Sequence, residues 1–368
     1  MNSSKLTVIS NLRPFLLLLV IINHCTPVRF TSYVNGGDFE MLNMLQNLFG
    51  HILTPSATGL FFLISGFLYF YRVDQFTLDV YKVKSSKRVK TLVVPYLVWC
   101  TISASYEFLY QVYQWHANGY PISFNLLESL WCCHLWGEKN LNILGWSMPM
   151  YGPADLPLWF LRDLIVVSFC TPIIYLLLRY LKGLLAIGMM LLYVTQLWTS
   201  VPGFSIHAFL FFTLGAYMAV DQKEFCLINS ESLNWLIVFL AVVSIAIGLY
   251  QYPQSQEGLR YIQQTTTILV AIAMVWLAKS INEKYCIVIP NIIDQSSFFV
   301  YAIHACGLFI APTSICLKLE QCSSFQNEWL LCLLYLLSPF MVYGISVVYY
   351  YVLNKFFKPI MPVLTGNR

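Results

Sequence analysis

Two ionisable residues stand inside the first apolar stretch, VISNLRPFLLLLVIINHCTP over 8–27: Arg13 and His24. Eleven positions at about 100° and 1.5 Å per residue put them on one helical face, roughly 16 Å apart along the axis. Ionisable groups at bilayer depth are expensive and face a polar interior, so this stripe predicts a lined cavity. An imidazole titrates near neutrality and can take a proton or carry an acyl group, and a guanidinium can hold phosphate or carbonyl charge. The plain alternative is that Arg13 snorkels to one interface and His24 rests in the other.

Four more groups could join them. Ser65-Gly66 sits in Phe61–Phe67, where small residues also serve simply to let helices approach. The run Lys82 to Lys90 carries Lys87, Arg88 and Lys90. It fixes topology, and would also attract a polyanion such as a nucleotide-phosphate cofactor, although no Gly-rich phosphate loop is present. Arg162-Asp163 lies one turn into the helix that opens Leu158-Trp-Phe-Leu, either as one wall of an outward pocket or as a self-neutralised pair that stiffens the bundle. Tyr301 and His304 are i, i+3 neighbours in a late apolar segment, with a hydrogen-bonded structural role as the default for His304. His207 reads as interfacial.

These residues need a membrane scaffold. Hydrophobic residues make up 58% of the 368 and charged residues 10%, with mean hydropathy +0.66. Soluble domains carry about 25% charged residues, so the chain reads as an all-α polytopic membrane protein. Ten spans are expected, at about 8–27, 50–71, 91–113, 158–178, 183–201, 203–220, 233–251, 262–279, 296–316 and 329–354, with a tight turn at Val201-Pro202-Gly203. With the N-terminus inside, fifteen Lys and Arg fall on the cytoplasmic side and four (Arg29, Lys139, Arg260, Lys318) outside, so both termini are expected in the cytoplasm. No cleavable signal peptide or appended soluble domain is expected, and the tail from Asn354 reads as a simple cytoplasmic end. The eleven cysteines are scattered through apolar runs without metal spacing, which predicts core residues and no zinc site. Nucleic acid has no case as a partner.

The organisation expected is a single membrane-embedded domain over 1–368 with a long periplasmic loop at about 114–157. Loops of that length are commonly functional. This one holds Trp115, Trp131, Trp136 and Trp146 with Tyr113, Tyr120 and Tyr151, as interfacial anchors or as platforms for sugar rings. Pro149, Pro153 and Pro157 predict an extended final part.

In order along the chain, Arg13/His24, Phe61–Phe67, Lys87-Arg88 to Pro95-Tyr96, Trp159–Leu164 and Tyr301/His304 resemble the motif set of membrane acyltransferase family 3. The resemblance covers nearly the whole chain. It departs at Thr91, where many members carry a second Arg, so that Lys87 or Lys90 would have to substitute without a planar fork. The resemblance implies a multi-pass inner-membrane O-acyltransferase that moves an acyl group, usually acetyl, from cytoplasmic acetyl-CoA to a hydroxyl of a cell-surface glycan, exopolysaccharide or lipid-linked saccharide. It needs no metal, and its partners are acyl-CoA, the saccharide and membrane lipid. His24 would be the base or acyl carrier and Arg13 would hold donor charge. Arg162, Asp163, Tyr301 and His304 would position the acceptor, and Lys87, Arg88, Lys90 and Ser65 would bind the donor. Succinyl transfer or an amine acceptor stays open within that class. A polytopic transporter, flippase or glycan polymerase stays open outside it, although no internal repeat is evident.

Overall fold

The structure, a computed structural model, describes residues 2–25, 39–133, 140–143, 146–149, 152–198, 200–222, 225–228, 230–251, 256–285, 287–306, 313 and 327–366. Arg29, Trp136, Lys139, Tyr151, Lys223, Lys318 and Arg368, and the end of the expected span at 296–316, lie outside them. The described chain is helical apart from one antiparallel hairpin, Asn140–Ile143 against Trp146–Pro149, within the long loop.

α1 spans Asn2–His24, with Pro14 in its interior. α2 covers Glu40–Phe70 and α3 Leu78–Asn118, each a continuous helix. Proline inside a helix clashes with the carbonyl four residues back and lacks its own N–H. Pro55 and Pro95 each fall just after a π-helical stretch, Asn47–Leu53 and Val89–Val93, where the helix is locally wider. That is how both helices pass a proline without ending. After α4 (Leu126–Trp131), a 3-10 turn at Leu156–Leu158 leads into α5 (Trp159–Phe169) and α6 (Thr171–Leu181), bent by 63° at the break. α7 (Gly183–Thr195) and α8 (Ile206–Tyr217) meet at a turn where Phe204 N–H donates to Val201 O (2.8 Å) and Gly203 takes φ +92°. α9 (Glu231–Gln251), α10 (Gln256–Tyr285), α11 (Asn291–Ile303), α12 (Glu328–Phe356) and α13 (Met361–Thr365) complete the order.

Six described helices are long and apolar enough to cross a membrane, or seven if the bent α5–α6 pair is one crossing. α7 and α8, at 13 and 12 residues, are shorter than the roughly 20 that a full crossing takes. Several outward faces are bare and apolar: on α9, Trp235, Leu236, Phe239, Leu240, Val242 and Val243 are exposed. A helix of this kind is stable against lipid rather than water. The protein is a multi-pass membrane protein.

The core is built on the crossing of α2 and α8. A Cβ added at Gly66 would stand 2.1 Å from Phe212 O, and one at Gly215 only 1.9 Å from Leu63 O. The glycine of Ser65-Gly66 therefore serves close backbone approach. Phe62, Phe67, Phe211 and Phe212 fill the space beside the contact and are fully buried.

Three local expectations need correction. The basic segment expected as a loop is helical from Leu78: Thr77 Oγ1 caps it from Val80 N–H (3.3 Å), and Asp79 complements the positive end. At the other end α3 runs on to Asn118, so the long loop opens at Gly119, in the left-handed region at φ +73°. The tail is no loose end either. Met361, Leu364 and Thr365 are buried, Trp99 Nε1 donates to Leu364 O (3.0 Å), and Gly366 presses on the Thr91 carbonyl.

Candidate active site

α1 and α11 lie side by side and run parallel, and they bring two rungs of polar side chains together. At one rung Arg13 has Asp294 of α11 within electrostatic reach. At the other, the His24 and His304 rings stand 5.0 Å apart between centroids, inclined at 64°. Eleven residues separate the rungs on α1 and ten on α11, a rise of about 15–16 Å on each helix. α11 is set in place by Pro290 at its start and Asp294 in its first turn, both suited to a helix N-terminus.

His304 has a fixed tautomer. Its Nδ1 lies 2.7 Å from the Tyr301 carbonyl oxygen, which can only accept, so Nδ1 carries the proton. Nε2 keeps its lone pair, is buried, and has no hydrogen-bond partner among the described residues. The hydrogen bond expected of His304 as a structural residue is thus made by Nδ1, and Nε2 makes none among the described residues. His24 is half-buried. Tyr301 closes the side of this rung: its hydroxyl donates to Pro157 O and its ring packs on Phe160 at 5.9 Å.

Below the Arg13 rung, α3 supplies two inward cations one turn apart. Lys84 Nζ donates to Tyr69 O (2.5 Å) and Arg88 Nη2 to Ser65 O (3.4 Å), with their charges 5.1 and 5.5 Å above the Tyr69 ring. Arg88 and Arg13 are within electrostatic reach of each other. Thr171 Oγ1 donates to the Tyr69 hydroxyl (3.0 Å), anchoring the ring beneath them. Ser65 is thus present through its carbonyl, while Lys87 and Lys90 are exposed. Lys84 was missed by sequence reasoning. The i, i+4 relation of Lys84 and Arg88 becomes a signal only once the segment is read as helix. Three cations against Asp294 make a surplus of positive charge suited to a polyanion.

Arg162 and Asp163 make contacts that join separate parts of the scaffold. Arg162 Nε and Nη2 each lie 3.0 Å from Asp163 Oδ1, and Nη1 donates to Trp131 O (2.8 Å) with the guanidinium 5.6 Å over the Trp131 ring. Gly203 N–H donates to the same Oδ1 at 3.0 Å. The pair thereby ties α5 to α4 of the long loop and to the turn between α7 and α8. His207, expected at the interface, lies within the bundle: Nε2 is 3.1 Å from Thr58 Oγ1 and Nδ1 3.2 Å from Tyr193 Oη. Of the rings expected in the loop, Tyr113 and Trp115 lie on the last turns of α3 and are exposed, Tyr120 is exposed in the loop itself, and Trp131 is held by Arg162.

Two imidazoles at one end of a buried stripe and a cluster of cations at the other can move a proton at the first and hold an anion at the second. The chain is 25% identical over 219 residues to the succinoglycan biosynthesis protein ExoH of Rhizobium meliloti (strain 1021). That match covers 58% of this chain and 54% of ExoH, so the chain spans about half the length of the curated relative it matches. No solved structure matches it. The family profile described as an acyltransferase domain, that of acyltransferase family 3, matches residues 7–351. That stretch takes in both rungs and the inward cations of α3, and by it the chain belongs to acyltransferase family 3.

Proposed function

We propose that this chain is an inner-membrane O-acyltransferase that carries an acyl group, acetyl above all, from cytoplasmic acetyl-CoA to a hydroxyl of a surface glycan, exopolysaccharide or lipid-linked precursor. The observation that carries the reading is the pair of rungs on α1 and α11, one bearing Arg13 and the other two imidazoles, which supports anion binding at the first and proton transfer at the second. The likeness to a succinoglycan biosynthesis protein supports a polysaccharide acceptor. In this reading the whole of 1–368 is one membrane-embedded domain with its loop, at about 114–157, on the periplasmic side. Six long helices and the bent α5–α6 pair supply seven of the ten crossings expected from the sequence; in this reading the short α7, α8 and α11 segments add the other three as partial crossings within the bundle, and both termini are cytoplasmic.

Donor phosphates bind Arg13, Lys84 and Arg88, and Lys87 and Lys90 at the rim add long-range attraction. The flexible arm of the donor runs along the α1–α11 seam and presents the thioester to the histidine rung. An imidazole nitrogen takes the proton of the acceptor hydroxyl as its oxygen attacks the acyl carbon. The carbon–sulfur bond breaks, and the CoA thiolate leaves and receives that proton, so no net proton is consumed. His24 is the base, and the bare Nε2 of His304 lies beside it to receive or align the same proton. Arg162 and Asp163 act through the scaffold, holding the loop over the site.

The test is transfer of label from [14C]acetyl-CoA, supplied to the cytoplasmic face of membranes containing the chain, to base-deacylated polysaccharide of the native cells. Surface-glycan ester content is compared in cells with and without the chain. Label in an alkali-labile ester that depends on the chain is the expected result. Equal ester content in both strains, with no label transferred, refutes acyl transfer and leaves the transporter class standing.

A further inference from the structure

The segment before α5 carries a carboxyl group that no described residue hydrogen-bonds. Asp155 has no accessible surface, and neither of its carboxyl oxygens has a hydrogen-bond partner among the described residues. The backbone around it is firmly held. Ala154 N–H donates to Ser129 O (2.7 Å), Leu158 N–H to Asp155 O (3.0 Å), and Cys133 N–H to Gly152 O (2.9 Å). The side chain therefore projects from a segment whose main chain is tied at three points.

Its surroundings are polar but turned away. The Tyr301 hydroxyl and the Cys100 thiol lie within electrostatic reach of the carboxyl. Tyr301 nevertheless gives its proton to Pro157 O, and Tyr96, beside Cys100, gives its proton to Leu130 O. The nearby O–H donors are thus committed to main-chain carbonyls. Burial pushes the Asp155 carboxyl well above the usual carboxylate range. A buried polar group without a partner is costly, and each one in a native fold calls for an explanation, a catalytic or ligand-binding role among them.

Tyr301 connects this group to the histidine rung. Its ring stands 6.1 Å from that of His304, one helical turn on, while its hydroxyl end reaches the Asp155 segment. From these juxtapositions we infer that Asp155 is an acceptor-binding residue whose carboxyl receives hydroxyl groups of a neutral saccharide and fixes the reacting one beside His24 and His304. A carboxyl in its neutral form offers one donor and free acceptor positions, matching the donor-and-acceptor character of a sugar hydroxyl. It gives no comparable hold on a cationic amine.

The inference rests on the acyltransferase reading for its reaction, but its test does not require transfer. The probe is an oligosaccharide prepared from base-deacylated polysaccharide of the native cells, with binding to the purified protein followed by tryptophan fluorescence in the absence of donor. Asp155→Leu should weaken that binding about ten- to hundredfold, the loss expected for a strong buried hydrogen-bonding group, and Asp155→Asn, which keeps one donor and one acceptor in altered places, by less. Acetyl-CoA binding should stay within about twofold. The apparent melting temperature of Asp155→Leu should equal or exceed that of the unsubstituted protein, because no hydrogen bond to a described residue is lost. In transfer assays the loss should lie in KM for the acceptor. Unchanged oligosaccharide affinity in both variants overturns the assignment, as does a lowered melting temperature in both with donor and acceptor binding falling together. Asp155-dependent binding without any transfer by the unsubstituted protein would sink the acyltransferase reading and leave this one intact.

Discussion

The Arg162–Asp163 pair offers a quantitative test of scaffold against substrate contact. Both side chains are nearly sealed, at 5% and 2% exposure. Asp163→Asn keeps an oxygen for the Gly203 N–H but leaves the guanidinium buried without its counter-charge. Breaking one side of a buried pair costs about 3–5 kcal/mol, because the surviving charge is uncompensated. Adding Arg162→Met removes that charge. What then remains is the unsatisfied Trp131 carbonyl, about 1–3 kcal/mol, and the cation–π contact, about 0.5–2 kcal/mol. The double variant should therefore be no less stable than Asp163→Asn alone, and the two losses should be strongly non-additive. Unfolding in mixed micelles, followed by tryptophan fluorescence, measures both. If the pair only holds α4, α5 and the Val201–Phe204 turn together, activity should return as stability returns. Additive losses would refute the pairing argument. A double variant that is stable yet inactive would show that one of the two residues touches substrate.

The remaining expectations concern packing, chemistry and charge. Gly66→Ala forces a methyl against Phe212 O and should cost at least about 1–3 kcal/mol, whereas Gly344→Ala, with nothing within 4 Å, should be silent; equal melting temperatures for the two would refute the close crossing of α2 and α8. His24→Gln and His304→Gln should each lower acyl transfer, by about 10²–10⁴-fold at the residue that serves as base, with acetyl-CoA binding retained. Normal transfer in both would remove the histidine rung from the chemistry. Lys84→Ala and Arg88→Ala should weaken acetyl-CoA binding well beyond Lys87→Ala or Lys90→Ala, and identical effects across all four would reduce the segment to a topology signal. Burial raises the folded Asp155 carboxyl above its unfolded value, so the folded state holds that proton to higher pH and stability falls as pH rises from about 4 upward. Asp155→Asn should flatten that fall, and parallel pH–stability profiles would exclude the carboxyl as its source.

Much of the site was legible because its signals are charges in the wrong solvent. Arg13 and His24 stand out in an apolar run whatever the fold, and helical spacing alone puts them on one stripe. Their partners were harder to find. Tyr301 and His304 could be paired by i, i+3 spacing, but only the parallel packing of α11 on α1 brings His304 to His24 and Asp294 to Arg13. Contacts between residues some 280 positions apart leave no local pattern in a single chain. The same limit hid the use of Arg162-Asp163, whose partners Trp131 and Gly203 come from separate segments.

The errors at the basic segment and the tail have a common physical origin, which also explains why Lys84 was overlooked. Hydropathy separates lipid-compatible residues from charged ones, so it ends a helix where the charge begins. A helix has no such obligation: Leu78–Arg88 carries a cap, an acidic start and a basic end, and is a sound helix in water or at a headgroup surface. Pro95 should then have broken it from the following span, but the π-helical turn at Val89–Val93 lets the chain continue through. Continuity fixes the azimuth of the basic residues. It turns Lys84 and Arg88 inward over Tyr69 and leaves Lys87 and Lys90 outside. It also places the Thr91 carbonyl where Gly366 of the docked tail can reach it, at the one position where the family resemblance departs. The cluster of inward cations is thus defined by a helical phase carried across a proline, and charge counting along the sequence does not contain that phase.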